Sequence, residues 1–80
     1  MSAKILVVDD EESIRYTFQA FLEEEGYEVT TAENYAQGLE RIKSCKCDLM
    51  FIDIILESRS GIDLLRSARE HCPDIQVVMI

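Results

Sequence analysis

The chain has 80 residues, enough for one small domain, and 8 Lys+Arg against 16 Asp+Glu give a formal charge of −8. So acidic a balance argues against direct nucleic-acid contact or an anionic membrane surface, since nothing here could replace the counterions condensed on a duplex. The apolar runs Ile5–Val8, Leu49–Ile52, Ile54–Leu56 and Val77–Ile80 are far too short to span a bilayer.

In chain order, Lys4–Val8 is a continuous β-branched run without polar alternation, the pattern of a strand buried on both faces. From Glu11 to Glu25, Ile14, Phe18, Phe21 and Leu22 form one apolar stripe of an amphipathic helix. Glu11 and Glu12 suit its first turn, and Gly26 supplies its stop. Tyr27–Ala32 predicts a more polar strand near an edge. Asn34 is placed to cap a helix reaching about Ser44, with Tyr35, Leu39 and Ile42 inward. Asp48–Asp53 reads as a third buried strand. Ser60-Gly61-Ile62-Asp63 has the pattern of a capping box opening a helix to His71, with Ile62, Leu65 and Ala68 inward. Pro73 ends that segment and Ile75–Ile80 is a fourth strand.

The order β-α-β-α-β-α-β with strands this apolar predicts a parallel α/β sheet covered by helices on both faces. Ligands of such sheets bind at the carboxyl ends of strands, where the winding reverses. Asp9 and Asp10 follow the first strand and Asp53 ends the third. If those strands are neighbours, three carboxylates share one crevice, and they cannot all ionise without a positive charge among them. Oxygen donors alone suit Mg²⁺, and a carboxylate beside such an ion can be a nucleophile toward a phosphoryl group.

These residues resemble the receiver domain of two-component response regulators. The likeness runs from Lys4-Ile5-Leu6-Val7-Val8-Asp9-Asp10 through Gly26-Tyr27, Asp53-Ile54-Ile55-Leu56 and Ser60-Gly61 to Pro73–Ile80, so residues 1–80 are expected to form the N-terminal part of a receiver domain. The resemblance implies a flavodoxin-like, doubly wound sheet, here incomplete, with four strands in the order 2-1-3-4 and three helices. It implies Asp53 as phosphoacceptor, and Mg²⁺ held by Asp9, Asp10, Asp53 and the backbone carbonyl of Ile55. It also implies a sensor histidine kinase or histidine phosphotransfer protein as donor, and an output domain or partner protein as reader. Such a domain signals and is not a turnover enzyme. Tyr16 and Thr17, near the acidic end of the first helix, become candidates for contact with the donor protein.

The chain departs from the family pattern in three places. Glu57 stands where the family usually has Pro, and Ile55 stands where some relatives carry a polar side chain that handles the attacking water, which predicts slow dephosphorylation. The family's switch Thr or Ser and its Lys would lie beyond Ile80. An 80-residue chain is therefore expected to switch poorly and to self-associate through the edge of its fourth strand. A receiver-like interaction module that takes no phosphate is the alternative.

Simpler roles compete for several residues. Asp9 and Asp10 can cap the first helix, and Glu23-Glu24-Glu25 reads as a solvated helix end that opposes the macrodipole. The three Cys, lacking secretory context, suggest reduced thiols and a cytoplasmic location. Cys45, Cys47, His71 and Cys72 would all lie at the amino edge of the sheet, where they could form a structural zinc set. A nucleotide binder would need a Gly-rich loop where this chain has Asp9-Asp10-Glu11-Glu12, so that reading fails.

Overall fold

A computed structural model describes residues 3–44, 47–56 and 60–80. Its elements are β1 (Lys4–Val8), α1 (Glu12–Glu24), β2 (Glu28–Ala32), α2 (Tyr35–Ser44), β3 (Leu49–Ile52), α3 (Gly61–His71) and β4 (Gln76–Met79). The strands form one parallel sheet in the order β2-β1-β3-β4, as the resemblance implied. β1, apolar after its exposed Lys4, lies inside the sheet with Ile5, Leu6, Val7 and Val8 all buried, whereas the more polar β2 is an edge.

Side chains of a strand alternate between faces, and the two faces are covered unequally. Leu6, Val8, Met50 and Ile52 join Ala32, Ile42, Leu56, Leu64, Ala68 and Ile75 in the main core, under α2 and α3. α1 packs against β1 and β2 on the other face, and Phe18 meets Phe51 with ring centroids 5.1 Å apart. No residue of α1 is fully buried. Phe21, expected on the inner stripe, is 64% exposed. The stripe is real but wider than the surface α1 covers.

Helix ends follow their local chemistry. α1 closes on Gly26 at φ 95°, with the Gly26 amide donating to the Glu23 carbonyl (3.0 Å) and the Tyr27 amide to that of Leu22 (3.1 Å). This paired closure takes the amide of Tyr27 into the helix end, so β2 starts at Glu28 and not at Tyr27. The Asn34 side chain accepts from the Gln37 amide at 2.9 Å, opening α2. The Ser60 hydroxyl accepts from the Ile62 amide at 3.1 Å, opening α3. The inward face of α3 is Gly61, Leu64 and Ala68, with Leu65 half-buried. Ile62 lies one residue round the helix from Gly61 and is 48% exposed, contrary to the expected phase.

Candidate functional site

Register brings the acidic residues together. β1 and β3 are adjacent with Val8 opposite Ile52, so the next residues, Asp9 and Asp53, emerge side by side. The ladder continues past the strands: the Asp9 amide donates to the Ala32 carbonyl (3.1 Å) and the Asp53 amide to that of Val8 (3.0 Å). Asp10 follows at the surface. One carboxylate oxygen from each of Asp9, Asp10 and Asp53 lies within 4.8 Å of the others.

Asp9 is the buried member, 5% exposed. Its Oδ1 accepts from the Glu11 amide at 2.9 Å, a turn bond just ahead of α1; the N-cap position itself is Glu11, with no side-chain cap, so neither aspartate caps the helix as the simpler reading had it. Burial pushes the Asp9 carboxyl above the ordinary aspartate range. The negative charges of Asp53 and Asp10 push the same way, while the Glu11 amide and the Arg15 guanidinium oppose them. Sequence reasoning passed over Arg15. Its Nη1 donates to the Asp9 carbonyl at 2.8 Å, and its Nη2 lies 3.6 Å from Glu33 Oε2.

The chain folds back after β3 so that Asp53 is held from below. Asp53 Oδ1 accepts from the Ile55 amide (3.1 Å), the Gly61 amide donates to the Ile54 carbonyl (2.8 Å), and Ile55 bridges Ser60 in antiparallel fashion. Gly61 is required here: a Cβ would run into the backbone carbonyl of Asp53 and the side chain of Ile52. Ile55 projects its side chain to solvent, 78% exposed, beside the cluster. Glu57, the expected departure in this loop, lies outside the described residues.

Other candidates are placed elsewhere. Tyr16 and Thr17 are exposed on α1; Tyr16 lines a polar cleft with Glu12, Arg15, Gln19 and Thr31. Cys47, His71 and Cys72 line one cleft at the amino end of the sheet. Among the described residues, these three do not gather their ligand atoms as the aspartates do. His71 Nδ1 instead donates to the Ser67 carbonyl of its own helix (2.9 Å), and the Cys72 thiol is directed to the Ile42 carbonyl (3.9 Å). Cys45 lies outside the described residues.

Three carboxylates with an exposed member form a hard-oxygen donor set, which fits a small divalent cation that keeps part of its water shell. No helix among the described residues is long and apolar enough to cross a membrane.

A family model for the response regulator receiver domain matches residues 5–80. The alginate biosynthesis transcriptional regulatory protein AlgB of Pseudomonas putida is 40% identical over 77 residues, covering 96% of this chain and 17% of its own length. The alkaline phosphatase synthesis transcriptional regulatory protein PhoP of Bacillus subtilis is 38% identical over 80 residues, covering all of this chain and 33% of its own. A Burkholderia pseudomallei response regulator solved with a phosphorylated aspartic acid, a calcium ion and citrate superposes with a TM-score of 0.93 at 28% identity, covering 98% of this chain and 46% of that one. The Thermotoga maritima response regulator TrrA, in complex with Mg²⁺–BeF, gives 0.89 at 38% identity, covering 96% and 67%. The chain thus spans a third or less of the two curated relatives. It belongs to the receiver-domain family of two-component response regulators and has that family's flavodoxin-like fold.

Proposed function

We propose that this receiver domain accepts a phosphoryl group on Asp53 from the phosphohistidine of a sensor histidine kinase or histidine phosphotransfer protein, in a reaction that depends on Mg²⁺. The observation that carries the reading is the convergence of Asp9, Asp10 and Asp53 at the carboxyl ends of adjoining strands. Asp9, Asp10, Asp53 and the backbone carbonyl of Ile55 would hold the cation. When bound, it offsets the charge of the three carboxylates and of the transferring phosphoryl oxygens.

The chain's own residues supply position. Asp53 Oδ1 is tied by the Ile55 amide, which fixes the carboxylate plane at the strand end. A carboxylate oxygen of Asp53 attacks phosphorus, the P–N bond to imidazole breaks, and the imidazole nitrogen takes a proton as it leaves. The product is an acyl phosphate whose added charge an output domain or partner protein would read. The phosphorylated aspartic acid of the Burkholderia pseudomallei regulator and the Mg²⁺–BeF of Thermotoga maritima TrrA support this reading by analogy. AlgB and PhoP are named transcriptional regulatory proteins, which lends no support to a protein that keeps away from nucleic acid; the charge of −8 speaks only for these 80 residues.

The test is treatment with a small phosphodonor, with and without Mg²⁺, followed by location of the added mass. Modification of Asp53 that needs Mg²⁺ and vanishes in Asp53→Asn is the expected result. No modification in either condition would instead favour an interaction module that takes no phosphate.

A further inference from the structure

Arg15 joins three segments that converge on the acidic cluster. Its side chain is largely buried, 16% exposed, and leaves α1 to reach the turn after β1 and the loop after β2. Nη1 holds the Asp9 carbonyl at 2.8 Å, and Nη2 pairs with Glu33 Oε2 at 3.6 Å. Glu33 is itself braced on α2: its amide donates to Gln37 Oε1 (3.1 Å), and Gln37 Nε2 donates to Glu33 Oε1 (3.2 Å). The carbonyl that Arg15 holds belongs to the peptide linking Asp9 to Asp10. Fixing that plane fixes the direction in which the exposed Asp10 leaves the chain. The Asp9 side chain is anchored separately, by the Glu11 amide.

We propose that Arg15 is a positioning residue for the divalent-cation site, orienting Asp10 through the Asp9–Asp10 peptide; this rests on the cation reading above. The planar fork of Arg suits the task because it serves a carbonyl and a carboxylate together, whereas a Lys ammonium is a point donor on a flexible stem. Simple electrostatics predicts the opposite consequence. Removing a cation beside three carboxylates should tighten Mg²⁺ binding, while loss of positioning should weaken it. The two roles therefore differ in sign.

Mg²⁺ demands near-ideal octahedral geometry, and Ca²⁺ accepts a looser, larger cage. A displaced Asp10 should cost Mg²⁺ more than Ca²⁺, a difference that a purely stabilising Arg would not produce. The experiment is calorimetric titration of Mg²⁺ and of Ca²⁺ into the protein and into Arg15→Ala, Arg15→Lys and Glu33→Ala, with folding checked by circular dichroism. Arg15→Ala is expected to weaken Mg²⁺ binding on the order of 10-fold, with a smaller loss for Ca²⁺ and partial rescue by Arg15→Lys. Glu33 is an exposed partner, 55% exposed; loss of its charge alone would weaken both cations alike, so in Glu33→Ala it is a greater loss for Mg²⁺ than for Ca²⁺ that is expected, and an equal loss for both would count against the positioning role even if Arg15→Ala does not fold. Unchanged or tighter Mg²⁺ binding in the folded variants overturns the positioning role alone. Absence of Mg²⁺ binding by the unmodified protein overturns the cation reading and this inference with it.

Discussion

Asp9 stands between burial and two neighbouring carboxylates on one side and an amide and a guanidinium on the other, and the first group wins. Because burial and the neighbouring carboxylates push its carboxyl above the ordinary aspartate range, the metal-free folded state keeps the Asp9 proton to a higher pH than the unfolded state does. The Asp9 contribution to stability is therefore full below the ordinary aspartate range and is lost as pH rises through the higher, folded value. Asp9→Asn keeps an oxygen for the Glu11 amide and removes the charge, so it should raise the metal-free melting temperature at pH 7 and abolish any rise caused by Mg²⁺. A lower metal-free melting temperature in that variant would contradict this. Ile55 carries the second prediction at this scale. Its exposed aliphatic side chain cannot orient a water toward an acyl phosphate on Asp53, so Ile55→Asn should shorten the lifetime of that phosphate in a timed dephosphorylation assay. The three aspartates were legible as a set: each alone has ordinary cap or turn uses, but the order of elements puts all three at the carboxyl ends of strands. Arg15 was not, because one partner is a backbone carbonyl, which side-chain identity does not reveal, and the other, Glu33, is brought to it by the pairing of β1 with β2.

The helices were legible by their punctuation more than by their stripes. Gly26, Asn34 and Ser60 each act where turn chemistry placed them, since capping depends on a few neighbouring atoms. On α3, Ala68 and Leu65 face the core as expected, and Ile62 does not. The inward position is taken by Gly61, which hydrophobicity cannot reveal, leaving Ile62 outside. Two substitutions separate these roles. Ser60→Ala should cost about 1 kcal/mol in denaturant unfolding through loss of the cap alone, without altering cation binding. Gly61→Ala forces a methyl against the Asp53 carbonyl, and should cost about 1–3 kcal/mol while also weakening Mg²⁺ binding, because the strain falls on the backbone of the acceptor itself. Equal effects of the two substitutions on cation binding would deny Gly61 its local role.

Across the molecule, the hydrophobic pattern specified parallel strands and crossover helices but not their lateral order, because any arrangement of the crossovers buries the same runs. The order β2-β1-β3-β4 came from likeness to the receiver family, and on it depends the pairing of β1 with β3 that unites the carboxylates. The sheet face on the α1 side is only partly covered, with Val78 and Ile80 41% and 40% exposed, and Phe21 of α1 itself is 64% exposed. Apolar exposure of this kind leads us to expect association of the 80-residue chain at micromolar concentration, measurable by light scattering; a stable monomer would contradict it. The most direct test of the account is a Mg²⁺ titration followed residue by residue through backbone amide NMR shifts. Saturable changes centred on Asp9, Asp10, Asp53 and Ile55, and lost in Asp53→Asn, are predicted. No saturable change, or changes centred on Cys47, His71 and Cys72 at the opposite end of the sheet, would contradict it.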